Sequence, residues 1–224
     1  MNARVVAVQL ALSQYADAQR AMSMAAYMKG HFAFYGVPAP QRKACQREAL
    51  LDWRPDAASL VAFARAAWRV AEREMQYVAC DALDRHRKVL SPSSVNVLEE
   101  LVVTRSWWDT VDAIAPVVGG LAKSDSDVSG LMSQWVDHDH MWLRRVAILH
   151  QLRWKHDTDA DLLFEFCARR AHESEFFIRK AIGWALREYS KTNPDAVRGF
   201  VVDHAAVLSG LSQREALKHI QRQG

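Results

Sequence analysis

Two segments of this 224-residue chain resemble each other residue by residue. They are Trp142–Ala147 (WLRRVA) and Phe177–Ile182 (FIRKAI), and they begin 35 residues apart. The same step back along the chain reaches Trp107, and the same step forward reaches Ser212. A helical period of about this length is typical of stacked helix pairs, the arrangement of HEAT-like repeats.

The rest of the chain fits a helical array. Its 9 glycines and 6 prolines fall mostly between segments of helical periodicity, and alternating strand-like patterns are nearly absent. Helix starts are marked by Asp56, by Ser91 before a proline and by Asn193 before a proline. We therefore predict about a dozen helices in an all-α fold, a right-handed α-α superhelix or solenoid of HEAT-like repeats, as a single domain over residues 1–224.

Composition excludes several classes of protein. Half of the residues are apolar, which provides for a full core, and the formal charge of +3 does not by itself mark a nucleic-acid binder. Cys45, Cys80 and Cys167 form no CxxC pair, so reduced thiols and a cytoplasmic location are expected. No apolar stretch is long enough to span a membrane, so no membrane partner is expected.

Basic residues recur at matching positions of successive repeats. On one predicted helix, basic residues form a stripe with a tryptophan: Lys180, Trp184, Arg187 and Lys191. A second stripe lies one repeat earlier and consists of Arg145, Leu149 and Arg153. Such a track on the concave face of the array would suit a phosphate backbone. The alternative is an ordinary solvated helix face. An exposed tryptophan among the three cations of its stripe favours the binding function.

Trp108 and Asp112 are spaced i and i+4 on a predicted helix, so they share one face. An aromatic face beside a carboxylate suits a ligand that becomes cationic. A core tryptophan beside an ordinary surface acid is the alternative. The neighbouring Trp107 falls on a different face, together with Val111 and Ile114.

Other catalytic chemistries find little support in the sequence. The segment Asp137–His140 (DHDH) places possible metal ligands close together, but no second cluster completes a site. The chain has no glycine-rich phosphate loop and no nucleophile elbow. We therefore expect neither a metal nor an organic cofactor.

Four separated motifs, in order, resemble the AlkD-type DNA alkylation repair glycosylases over nearly the whole chain. They are Tyr27–Phe32 (YMKGHF), Ser106–Asp112 (SWWDTVD), Trp142–Leu149 (WLRRVAIL) and Ala181–Tyr189 (AIGWALREY) with Lys191–Pro194. The resemblance implies a monofunctional glycosylase that removes N3-alkyladenine and N7-alkylguanine from duplex DNA, acts as a monomer and reads the lesion from the backbone side without flipping the base.

The resemblance also implies roles for individual residues. Asp112 would be the catalytic acid, Trp108 and Trp184 the cleft tryptophans, Arg145 a phosphate contact and Tyr27 a cleft tyrosine. Arg153, Lys180, Arg187, Lys191 and Pro40 complete the expected DNA contacts.

The turn at residues 36–40 carries Pro38 and Ala39 where relatives often have polar residues, so contacts there would be weaker or made by the backbone. Two other classes of function stay open. One is a non-catalytic HEAT-like DNA-binding scaffold, and the other is a solenoid that binds an acidic protein.

Overall fold

A computed structural model describes residues 2–222, without the side chain of Arg222. Thirteen α-helices are described in this part of the chain, and it contains no β-strand; Ala33 and Glu72 form one isolated bridge. The all-α prediction is confirmed. Two of the three predicted caps are present, since Asp56 accepts a hydrogen bond from the Ser59 amide at 2.8 Å and Asn193 accepts one from the Ala196 amide at 3.0 Å. Ser91, the third, precedes the short 3-10 helix Pro92–Ser94 rather than an α-helix.

The chain divides into two compact units, residues 1–97 and 98–224. The single domain expected over residues 1–224 stays a prediction. The first unit contains five complete helices: α1 (Ala3–Ser13), α2 (Ala18–Tyr27), α3 (Ala39–Ala49), α4 (Ala57–Trp68) and α5 (Arg73–Arg85). In this unit α1 contacts α3 and α4, and α5 contacts the same two helices. Helix α6 (Val95–Val103) begins at the end of the first unit and continues into the second unit.

The second unit holds seven further helices. They are α7 (Trp108–Ala122), α8 (Ser126–Trp135), α9 (Met141–Leu149), α10 (Ala160–Arg169), α11 (Phe176–Tyr189), α12 (Pro194–Asp203) and α13 (Gly210–Leu217). Helices α7, α9, α11 and α13 contact one another in sequence order, and each of α8, α10 and α12 contacts the two helices that flank it along the chain. This succession of helix pairs is the packing that the 35-residue period predicts.

Helix α11 shows how the sequence produces this packing. Ile178, Ala181, Ile182 and Ala185, spaced i, i+3, i+4 and i+7, are all buried. Full burial of an isoleucine contributes roughly 1.5–3 kcal/mol, so this stripe holds the helix against its neighbours. The opposite side of α11, which carries Trp184, stays half-buried and is available to build a site.

All three cysteines are buried and free, as the expectation of reduced thiols requires. Burial raises the pKa of the Cys167 thiol well above its usual range. No helix within residues 2–222 is both long and apolar enough to cross a membrane.

Candidate functional site

An aromatic cluster joins the beginnings of α7, α9 and α11. Trp107, Trp142 and Phe177, one from each repeat, place their ring centroids 5.0–6.0 Å from one another. Residues that lie one repeat apart in the sequence are therefore in contact in the structure. Trp107 differs from expectation in one respect: it precedes α7 in an extended conformation, so it does not share a helical face with Val111. Its ring packs against the next two repeats instead.

Asp112, one turn into α7, forms a two-point ion pair with Arg145 of α9. Nε of Arg145 donates to Oδ1 of Asp112 at 2.7 Å, and Nη2 donates to Oδ2 at 2.8 Å. The remaining guanidinium nitrogen, Nη1, donates to the backbone carbonyl of Phe177. Three helices thus fix the direction of this carboxylate through one arginine.

The pair is unequally buried. The Arg145 side chain is 5 % exposed, whereas the Asp112 side chain is 16 % exposed. Desolvation by burial raises the pKa of the Asp112 carboxyl above its ordinary value; the hydrogen bonds and charge of Arg145 oppose this effect, and the charge of Asp109 adds to it. The Asp112 side chain therefore keeps some accessible surface, and its carboxyl has a raised proton affinity; both are properties of a group that can act on a ligand.

Burial changes what Arg145 can do. The resemblance implied a phosphate contact, but each nitrogen of its guanidinium already donates a hydrogen bond within the protein. The predicted stripe through Leu149 to Arg153 is also wrong as an exposed surface, because Leu149 is completely buried and α9 ends there. Arg153 is exposed in the following turn, off the helix.

Two tryptophans lie on helices of the same succession. Trp108 is the first residue of α7, one turn before Asp112, and is half-buried. Trp184 lies on α11 and is also half-buried, rather than exposed as the sequence suggested. Each residue therefore retains some accessible surface that a ligand could contact.

The predicted basic stripe on α11 is paired with acids. Lys180 places Nζ 3.1 Å from Glu215 of α13, and Arg187 forms an ion pair with the other oxygen of the same carboxylate. Lys191 follows the end of α11 and lies 2.6 Å from Glu188, so it is not a fourth position of one helical stripe. The stripe is therefore a network of charges of both signs, with a smaller net charge than its cations alone suggest.

Next to this network, the ends of α11 and α13 enclose an open cleft of about 310 Å³. It is lined by Arg187, Lys191, Lys218 and His219. Three cations around a cleft of this size can accommodate an anionic group such as a phosphate.

Tyr27 and Pro40 belong to the first unit. Tyr27 is the last residue of α2 and is 73 % exposed, and Pro40 is exposed in the first turn of α3. Both are accessible to a ligand, and their predicted contacts with DNA stay predictions.

The Asp137–His140 segment has an internal explanation. Asp137 forms ion pairs with Arg169 and Arg170 of the next repeat, and His138 accepts a hydrogen bond from the His140 amide at 2.9 Å. In the described range, no three His, Cys, Asp or Glu side chains come together as a metal site would require.

Sequence reasoning missed two residues of this region. Phe177, the backbone acceptor of Arg145, carried no polar signal. Glu215 did carry one, because it lies 35 residues after Lys180 and so occupies the equivalent position of the next repeat. An acid at that position, directly after Arg214, indicates an ion pair between neighbouring repeats.

Comparison with known proteins gives consistent results. A model of the DNA alkylation repair enzyme family matches residues 8–220. A structure from Enterococcus faecalis, described as a predicted DNA alkylation repair enzyme, is 36 % identical with a TM-score of 0.83, over 92 % of this chain and 96 % of that one. No curated protein matches the chain.

Two structures from Streptococcus mutans share the fold at lower identity. The protein smu.31 is 18 % identical with a TM-score of 0.61, over 79 % of this chain and 91 % of its own. AlkD2 is 17 % identical with a TM-score of 0.59, over 79 % of this chain and 88 % of its own. These two likenesses support the helical fold alone.

Proposed function

The chain belongs to the family of DNA alkylation repair enzymes, and from that premise we propose that it is a monofunctional DNA glycosylase. Its proposed substrates are the cationic alkylpurines N3-alkyladenine and N7-alkylguanine in duplex DNA. The observation that carries this proposal is the Asp112 carboxylate, which Arg145 holds at two points while 16 % of the side chain stays exposed.

A cationic alkylpurine is already a good leaving group. When the C1′–N bond breaks, its electron pair leaves with the base and neutralises it, and the deoxyribose acquires oxocarbenium character. A carboxylate fixed in a partly dry site stabilises that positive charge without having to reorient. Water then attacks C1′ and loses a proton, and burial gives Asp112 a raised pKa that makes it a suitable acceptor.

The surrounding residues have supporting roles. Trp108 and Trp184, both half-buried, would stabilise the cationic sugar through their π-electrons. Arg145 enters the proposal as a positioning residue, because its three guanidinium nitrogens all donate to groups within the protein. Phosphate contacts fall to Lys180, Arg187, Lys191 and Arg153, with Tyr27 and Pro40 as further contacts from the first unit.

We further propose that the damaged base stays stacked during the reaction. Enzymes that flip a base need a pocket to receive it. A carboxylate at a partly exposed edge, by contrast, can approach a sugar from the backbone side. The positive charge of the lesion would then provide most of the selectivity, because an undamaged purine is a poor leaving group.

The deciding experiment measures free base released from a duplex that contains a single N7-methylguanine, with enzyme in excess and chromatographic detection. We expect release above the spontaneous rate, none from the undamaged duplex, and no effect of a metal chelator. Normal binding of the duplex with no release of base would refute the glycosylase and favour the non-catalytic DNA-binding scaffold.

A further inference from the structure

Helices α11 and α13 approach each other most closely where Gly183 faces Glu215. A Cβ atom added to Gly183 would lie 2.5 Å from Cβ of Glu215 and 3.0 Å from the carbonyl oxygen of Ser212. Neither atom can move without moving α13. The lack of a side chain at Gly183 therefore brings the base of Glu215 directly onto the backbone of α11.

From this position the Glu215 carboxylate reaches in both directions along α11. Oε1 lies 3.1 Å from Nζ of Lys180, and Oε2 contacts Nη1 of Arg187. These two cations are placed four residues before and three residues after Trp184, on the same side of the helix. A single acid thus fixes the two cations that flank the tryptophan.

Glu215 is ionised at neutral pH. Desolvation by burial tends to raise the pKa of Glu215, but the hydrogen bonds and charges of Lys180 and Arg187 together hold it below its ordinary value. The Glu215 side chain is 17 % exposed, against 37 % for Lys180 and 26 % for Arg187. The cations therefore present their outer parts to solvent while the acid lies between and beneath them.

An acid at this place opposes any phosphate that approaches the stripe. It cancels one of the two positive charges beside Trp184, so it must weaken non-specific attraction to DNA. Its stabilising effect as a partly exposed ion pair is small. The effect that remains is geometric, because two long cationic side chains with many rotamers are held in one arrangement.

We propose that Glu215 is a positioning residue: it holds Lys180 and Arg187 on either side of Trp184 and lowers the net charge of that surface. The inference rests on the proposed function, since the positioned cations would orient the backbone of the damaged strand at Trp184. Glu215 thereby lowers the affinity for undamaged DNA and raises the rate of base release.

Two substitutions distinguish the effect of the Glu215 charge from the effect of its side-chain length. Glu215→Gln keeps the length of the side chain and removes its charge. Glu215→Asp keeps the charge but is one methylene shorter, so it cannot reach both cations. Glu165→Gln is the matched control, because Glu165 pairs with Arg169 on α10 at 3.0 Å and its removal changes the net charge equally.

For each protein, binding to an undamaged duplex is measured over a series of salt concentrations, and single-turnover base release is measured at saturating enzyme. Glu215→Gln should steepen the dependence of log K on log salt by about one unit, which corresponds to one more phosphate contact. Its rate of base release should fall by roughly tenfold, because misplaced contacts lose orientation. Glu215→Asp should show the slower release with the unchanged salt slope, and Glu165→Gln should match the wild type in both.

The proposal fails if Glu215→Gln has the wild-type salt slope and rate, or if Glu215→Asp releases base at the full rate. Melting curves identify a variant that does not fold; if Glu215→Gln is such a variant, the rate of Glu215→Asp decides. If the wild type binds DNA but releases no base, the proposed glycosylase is refuted. In that case the salt slopes still decide whether Glu215 limits DNA affinity.

Discussion

Two carboxylates, one in each unit, are held in different ways. Glu74 on α5 is completely buried and accepts hydrogen bonds from three consecutive backbone amides, those of residues 35–37, at 2.9–3.1 Å. Asp112 on α7 accepts its hydrogen bonds from one side chain, Arg145, and remains 16 % exposed. Both are acids on helices, yet only Asp112 retains side-chain surface that a ligand could reach.

The difference shows what distinguishes a structural acid from a candidate catalytic one. Glu74 satisfies backbone donors that would otherwise be buried without partners, and it thereby fixes the loop that leads into α3. Arg145 can hold Asp112 through one lone pair on each oxygen, so the other lone pairs stay available. We therefore expect substitution of Glu74 to affect stability and substitution of Asp112 to affect the chemistry.

The largest effect should follow from Asp112→Asn. The change keeps the shape of the side chain and removes the charge that would stabilise the oxocarbenium-like sugar. We expect release of N7-methylguanine to slow by roughly ten- to a thousandfold. Single-turnover base release, referred to the folded fraction measured by circular dichroism, tests this.

The matched control is Asp109→Asn, because Asp109 lies in the first turn of the same helix. It removes the same charge but should leave most of the activity per folded molecule. Near-normal release by Asp112→Asn would exclude the carboxylate from the mechanism and make the two acids alike in function.

Glu74→Gln should produce the next largest effect, on stability alone. The amide can keep its oxygen toward the amides of Gly36 and Val37, but its NH₂ group then faces the N–H of Tyr35. One buried donor without an acceptor costs about 2 kcal/mol. Urea denaturation measures this loss, while base release per folded molecule should stay at the wild-type level. A loss of activity without a loss of stability would contradict the comparison.

Lowering the pH should reduce stability by a comparable amount, through a residue of the second unit. His150, the residue after α9, is buried at 1 % exposure, and desolvation lowers its pKa from 6.5 to about 4. The unfolded chain therefore binds this proton more tightly than the folded one. The stability that neutral His150 contributes is present above pH 6.5 and is lost as the pH falls towards 4, by about 2 kcal/mol at pH 5.

His150→Gln removes this titrating group. Urea denaturation at pH 7 and pH 5 should therefore show a smaller acid-induced loss of stability for His150→Gln than for the wild type. The variant can be less stable at both pH values, since only the difference between them is compared. An equal acid-induced loss in both proteins would show that His150 does not become protonated on unfolding in this range.

The sequence by itself determined the helical repeat and the equivalent places of α7, α9 and α11 within it. Trp107, Trp142 and Phe177 recur every 35 residues because each repeat packs an equivalent large side chain against the next. Helix starts such as Asn193 were predictable because their caps are local and depend on a few neighbouring residues. The face shared by Trp108 and Asp112 followed from helical spacing alone.

Only the tertiary structure decided which charged side chains are buried and which acid each cation pairs with. Spacing places Arg145 and Lys180 at equivalent positions of successive repeats, yet Arg145 is buried against Asp112 while Lys180 meets Glu215 near the surface. The partner of each cation lies 33 or 35 residues away along the chain, on a different helix. Helical periodicity defines the direction of a side chain, but burial and pairing depend on which neighbouring helix packs in that direction and how closely it approaches.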